Sequence, residues 1–171
     1  LKRGDDETAL RLATEWLESA EEKGQPRPLG IALMNLASTY QALQRTNDAV
    51  DAIDQVQGIV RKVGDVRWEF DCLLESVDVY MSQIENDEQA VQMAEGAIMI
   101  ARELNDKKRE VMALNKLNNV HLHRLYTSEE LDDREVATFE RLEEEQRAIY
   151  LELGDRSSAN MCRLGIVGLR G

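Results

Sequence analysis

Residues 90–105 read AVQMAEGAIMIARELN, with apolar side chains at Ala90, Val91, Ala94, Ala97, Ile98 and Ala101. Spacings of three and four place these on one face of a helix, with polar residues opposite. The same pattern fills three other segments of equal length: ALRLATEWLESAEEKG, AVDAIDQVQGIVRKVG and FERLEEEQRAIYLELG. All four end in Gly or Asn, at positions 24, 64, 105 and 154. Those residue types suit the left-handed turn that closes a helix. The unit therefore repeats roughly every 40 residues, and the last interval is longer.

A second helix follows each ending. IALMNLASTYQAL, DCLLESVDVYMSQ and MALNKLNNVHLHR align with Leu33, Leu73 and Leu114 in one column and Tyr40, Tyr80 and His121 in another. Ala32, Cys72, Ala113 and Cys162 form a small-residue column. The periodicity predicts helices over 6–23, 29–43, 48–63, 67–84, 88–104, 108–125, 136–153 and 156–167. The expectation is an all-α fold of antiparallel helix hairpins, one repeat array over residues 1–171, with hairpins starting near 29, 67 and 108 and partial repeats at both ends.

Ala32-Leu33-x-Asn35-Leu36-Ala37-x-x-Tyr40, followed by Ala49, Ile53 and Val56, resembles the tetratricopeptide (TPR) repeat. Ala113-Leu114-x-x-Leu117-Asn118-Asn119-x-His121 is similar, with substitutions. The ending RELNDKKREVMALNKLNNV is closest to the longer 40-residue variety of Pins-type spindle-orientation adaptors and kinesin light chains. The resemblance implies a right-handed α-solenoid. Ser76 stands where a Leu is expected, Val77 and Asn118 where a small residue is, and His121 where Tyr is. HEAT-type hairpins of similar length are the structural rival.

Composition agrees with helices. Of 171 residues, 43% are hydrophobic, 32% charged and 5% aromatic, with two prolines. No apolar run is long enough to span a bilayer. The net charge of -12 argues against nucleic acid and anionic membranes, which need a basic face. Charge is uneven: residues 127–155 hold eleven acids against three arginines, whereas 102–126 hold six bases against three acids. Cys72 and Cys162 sit in no metal or redox spacing, so both are expected reduced and apart, in a reducing, cytoplasmic compartment.

The chain carries no phosphate-loop motif. His121 and His123 lie about 200° apart around a helix and cannot share a ligand. The expected role of His121 is packing, with one ring nitrogen hydrogen-bonded. No catalytic residue, metal or cofactor is expected, and the chain is not read as an enzyme.

The TPR resemblance implies a concave groove lined by the first helix of each hairpin. Carried over by position, it offers Ile31, Met34, Asn35, Ser38 and Gln41, then Asp71, Leu74, Glu75, Asp78 and Met81, then Met112, Asn115, Asn119 and Leu122. Asparagine amides can hold a peptide backbone, because each offers donors and an acceptor. Asp71, Glu75 and Asp78 share one helix face and favour a partner segment with Lys or Arg. Asn115 and Asn119 are expected beside them.

Two features are irregular. GDDETA at residues 4–9 resembles a turn between hairpin helices, so the chain is expected to begin with a second helix and end with an unpartnered first helix, as a segment of a longer protein would. The connection after His121 is lengthened by YTSEELDDREVAT, where Ser128 before Glu130 and Leu131 fits a short helix; a longer helix pair is the other reading. Three functions stay open: a peptide-binding adaptor, a structural subunit packed in a large assembly, and a regulatory domain of a larger signalling protein.

Overall fold

The computed structural model describes residues 2–82, 87–128 and 132–162, with side chains from residue 6 onward. Among these residues the secondary structure is entirely helix and turn. The chain forms two compact units, residues 1–90 and 91–171.

The first unit contains α1 (Lys2–Lys23), α2 (Pro26–Ala42), α3 (Thr46–Val63) and α4 (Val66–Met81). Consecutive helices pack on each other, and α2 also reaches α4. This is a run of antiparallel hairpins. Helix α5 (Asp87–Glu103) begins at the boundary and lies in the second unit from Val91 onward. It is followed there by α6 (Lys107–Thr127), α7 (Asp133–Glu152) and a helical stretch over 156–162.

One local device makes the turns between α3 and α4, between α5 and α6, and after α7. Gly64, Asn105 and Gly154 each adopt the left-handed conformation, with φ of 72°, 50° and 78°. The next residue is an aspartate that caps the following helix. Asp65 accepts from the backbone N–H of Arg67 and Trp68, both at 3.1 Å. Asp106 accepts from Arg109 N at 3.1 Å, and Asp155 from Ser158 N at 3.0 Å. A left-handed residue satisfies the ending carbonyls, and the carboxylate satisfies the first free N–H groups of the new helix. After α1 the left-handed residue is Gly24, with φ of 60°, and Pro26 starts α2. The first N–H groups of a helix lack internal partners, so prolines fit there. Hence α2 begins before the expected residue 29.

The core of the first unit gathers Leu33, Val56, Val60, Trp68 and Cys72, with Leu17, Leu29, Met34 and Ile59 packed against it. Ala32, Ala37 and Ala49 are fully buried and let helices approach closely. Gly30 is the tightest contact. A Cβ there would lie 2.3 Å from Cζ2 of Trp68. In the second unit Ala94, Ala97, Ala101, Ala113, Leu114, Leu117, Val120, Phe139, Leu142 and Ile149 are buried.

The aligned aromatic column is half-buried at Tyr40 and buried at Tyr80 and His121, and its bonds differ from repeat to repeat. Tyr40 stacks under the Arg45 guanidinium, 4.6 Å from the ring centroid. The Tyr80 hydroxyl donates to Asp54 of α3 at 2.7 Å. His121 is buried, with Nδ1 2.6 Å from Glu135 of α7. The substitutions in the repeat pattern are accommodated by polar pairing. Ser76 is buried, donates to the Cys72 carbonyl at 2.7 Å and accepts from Gln57 at 3.3 Å.

Three expectations are corrected. Residues 4–9 are not a turn: α1 already runs from Lys2. Acidic residues such as Asp6 and Glu7 are favourable near a helix N-terminus, where the dipole is positive. Helix α4 stops at Met81 rather than 84, because Ser82 turns back on Val79, its hydroxyl donating to that carbonyl at 2.6 Å. After His121 the extra length goes largely into the helices, as in the longer-helix-pair reading, with α6 running to Thr127 and α7 starting at Asp133. Ser128 closes α6 instead of opening a helix, and the short helix expected over Glu130 and Leu131 lies outside the described residues.

Candidate functional site

In the first unit, the residues expected to line a groove come from α2 and α4, which are neighbours. Ile31, Asn35, Ser38, Asp71 and Glu75 are exposed, and Met34, Gln41, Asp78 and Met81 are half-buried. Leu74 departs from the expectation: it is 8% exposed and belongs to the core. Helix α4 packs against both α2 and α3, so its apolar arc is wider than a one-sided helix needs. Several polar groups are already engaged. The Asn35 amide donates to the Ile31 carbonyl at 2.8 Å, and the Ser38 hydroxyl to Met34 at 3.1 Å. Gln41 donates to the Asp78 carbonyl at 2.9 Å and ties α2 to α4.

Asp71 and Glu75, one turn apart, have no ion-pair partner among the described residues, so their field is uncompensated locally. Its effect shows at Cys72 between them. Burial, then Asp71, Glu75 and Glu69, push that thiol up to about 12. A thiolate would sit in apolar surroundings beside negative charge, so Cys72 is unreactive in the native fold.

The second unit holds a cleft of about 300 Å³, formed where α6, α7 and residues 156–162 meet. Asn115, Asn119 and Leu122, three of the residues singled out in the sequence, line it. Both asparagines are exposed and Leu122 is half-buried. Met112, also expected there, is exposed but does not line the cleft. Asn118, Phe139, Glu143, Gln146, Tyr150, Ser158, Met161 and Cys162 complete the wall. Asn118 and Gln146 are 3% and 2% exposed.

Asn118 donates its amide to the Glu143 carboxylate. Desolvation raises the carboxyl of Glu143, and the Asn118 hydrogen bond opposes this incompletely. Gln146 accepts a weak bond from the Cys162 thiol at 3.9 Å. This leaves the Asn118 carbonyl oxygen and the Gln146 amide nitrogen buried without a partner. Buried polar atoms in folded proteins are paired almost without exception, so two such atoms within the side chains of one cleft wall are notable.

Sequence reasoning singled out the Asn115–Asn119 face but took Asn118 as a packing residue and passed over α7. A usable signal was present: Glu143, Gln146 and Tyr150 stand three and four apart on one helix face.

Opposite chemistry dominates elsewhere in this unit. Glu110 is buried and accepts from Arg102 at 2.8 Å and Lys107 at 2.9 Å. Burial would raise its carboxyl, yet these two cations hold it below its ordinary value. Arg102 also pairs with Glu145 of α7. This network is a structural clasp between helices. Among the described residues no His, Cys, Asp and Glu cluster is arranged to hold a metal ion. Nor is any described helix long and apolar enough to cross a membrane.

Comparison with solved structures finds the same fold in BtubC (BKLC) from P. vanneervenii, with a TM-score of 0.58 and 19% identity, covering 99% of this chain and 74% of that one. Comparison with curated protein sequences returned no match. A family model described as anaphase-promoting complex subunit 5 matches residues 5–73 and again residues 67–124. Its tandem placement on successive helix hairpins agrees with the repeat seen in sequence and structure, and it accounts for well over half of the chain. The chain belongs to the anaphase-promoting complex subunit 5 family.

Proposed function

We propose that this chain is a non-enzymatic part of an assembly subunit, whose helix hairpins present surfaces to neighbouring subunits of a multiprotein complex of the anaphase-promoting type. The observation that carries this reading is the family match over residues 5–73 and 67–124. The surface supports it. Leu12 and Trp16 on α1 are 53% and 46% exposed, and Met99, Met112 and Met161 in the second unit are more than half exposed. Trp and Met side chains are enriched where protein surfaces meet. Two free cysteines suit a reducing compartment. The test is affinity purification of the tagged chain from its own cells at high salt. Stoichiometric co-purification of a fixed set of subunits is expected. Recovery of the chain alone, as a monomer in sedimentation, refutes the reading.

A second reading is a peptide-binding adaptor of the tetratricopeptide kind. It is favoured by the exposed carboxylates of Asp71 and Glu75, which lack a partner among the described residues. Here a Lys- or Arg-bearing segment lies along α2 and α4, with Met34, Asp78 and Met81 at its edges. Reversal of both charges, Asp71→Lys with Glu75→Lys, should weaken binding of such a segment and leave the melting temperature unchanged. Raised salt should weaken it too, since exposed charges are screened within about 10 Å at 0.1 M. Unaltered affinity in the double variant excludes this reading.

A further inference from the structure

The cleft between α6, α7 and residues 156–162 has a chemical character that the assembly reading does not specify. We propose that it is a socket for an arginine side chain presented by a neighbouring subunit, with the guanidinium on Glu143 and Asn118 and the adjoining backbone carbonyl on Gln146.

Three observations lead there. First, Glu143 is a half-buried carboxylate whose bond comes from the neutral amide of Asn118, and no cation pairs with it among the described residues. The clasp elsewhere in the unit shows the contrast: buried Glu110 is matched by Arg102 and Lys107. A desolvated carboxylate is stable when it meets a cation with matching donors. Second, the Asn118 carbonyl oxygen is a buried acceptor without a donor. Together with the remaining lone pairs of Glu143 it asks for several N–H groups in a fixed arrangement. A guanidinium supplies five in one plane, whereas an ammonium is a compact point charge. Third, the Gln146 amide nitrogen is a buried donor without an acceptor. A cation cannot satisfy it, but the main-chain carbonyl of the same residue can. The unmatched groups on α6 and α7 thus complement one amino acid, side chain and backbone together. Engagement turns the two amides from the wall toward the guest.

The rest of the cleft fits. Its volume of about 300 Å³ is at the lower end of ligand sites, the scale of one large side chain. Phe139, Leu122 and Met161 line it and offer apolar contact to a methylene stem. Asn115 and Asn119 stand exposed at the mouth. Residues 127–155, which include most of the cleft's α7 wall, hold eleven acids against three arginines, so the local field attracts a cationic guest.

This socket deepens the assembly reading and rests on it for the source of the arginine. It is tested on the full chain, labelled with nitrogen-15, by titrating the blocked pentapeptide Ala-Ala-Arg-Ala-Ala and following side-chain amide signals. The Asn118 and Gln146 amides should shift and saturate. The same peptide with citrulline, a neutral isostere of arginine, should bind about tenfold more weakly, as expected for loss of one charge-assisted bond. Glu143→Gln should produce a similar loss. Met161→Lys, at a position 66% exposed, should do the same by placing a competing cation at the mouth, and keeps the test valid if Glu143→Gln disturbs folding. Glu75→Gln in the other unit should have no effect. Absence of shifts, equal binding of the citrulline peptide, or an equal loss with Glu75→Gln overturns the socket. Co-purification reports on the assembly separately. Lost peptide binding with intact co-purification removes the socket alone, and retained peptide binding by a chain that purifies alone removes the assembly reading alone.

Discussion

Gly30 sits in the second turn of α2, inside the helix, where glycine is normally unfavourable, so Gly30→Ala tests the packing of the first unit directly. Two opposing effects are involved. Alanine is better than glycine in a helix interior by about 1 kcal/mol. Against this, the new methyl group would lie 2.3 Å from Cζ2 and 2.8 Å from Cη2 of Trp68. Carbon atoms in comfortable contact stand about 3.5–4.0 Å apart, so ring or helix must move by more than an ångström. The ring has little room. Trp68 is 6% exposed, packs with Leu33, Val56, Val60 and Cys72, and lies under the Arg27 guanidinium, which is itself paired with Asp65 at 2.9 Å. Overpacking of such a core costs about 1–3 kcal/mol. The overlap is severe enough to place it in the upper half of that range, so the net loss should be roughly 1–2 kcal/mol. The measurement is urea unfolding followed by tryptophan fluorescence and far-UV circular dichroism. A Trp68→Leu background removes the ring, and there the same Gly30→Ala change should become neutral or stabilising by up to about 1 kcal/mol. If Gly30→Ala is as stable as the parent with Trp68 present, or equally damaging without it, the close contact does not set the cost.

Three further outcomes follow from bonds already described. Cys72 should resist iodoacetamide at mildly alkaline pH in the native protein and react fully in denaturant; its folded thiol keeps its proton up to about 12 while the unfolded one releases it near 9, so stability should fall as pH rises past 9, less so in Cys72→Ala. The carboxyl of Glu110 is held below 4.5 in the fold, so its contribution is present above that pH and disappears as pH drops through the folded value. Glu110→Ala should therefore lower stability at neutral pH by about 1–3 kcal/mol, Arg102 and Lys107 being half-exposed, and flatten the acid limb of the stability curve measured by denaturant titration. Tyr80→Phe should cost about 1 kcal/mol by removing the bond to Asp54, and in Asp54→Ala the same change should be nearly silent in a double-mutant cycle.

The hairpin repeat was legible in the sequence because its causes are local. Gly24, Gly64, Asn105 and Gly154 each occupy the left-handed position that ends a helix, and an adjacent proline or aspartate starts the next. Apolar spacing of three and four then selects the buried face, as for Ala94, Ala97 and Ala101. The burial of His121 followed from its column in the repeat, and the exposed placing of Asn115 and Asn119 from the groove positions that the TPR resemblance implies.

What the sequence could not determine depends on a second helix. Leu74 looked like a groove contact until α2 and α3 were both seen against α4. Asn35 and Ser38 looked available until their side chains were found bonded to carbonyls one turn back. The cleft needs most from tertiary structure. Asn118 lies on α6, Glu143 and Gln146 on α7, and Met161 beyond it, and nothing in their separate neighbourhoods marks them as a set. Helical periodicity fixes the face on which a side chain stands, whereas burial and hydrogen-bond partners are properties of the facing element. Only the packing of α7 on α6 removed water from Asn118 and Gln146 and left one acceptor and one donor without a mate.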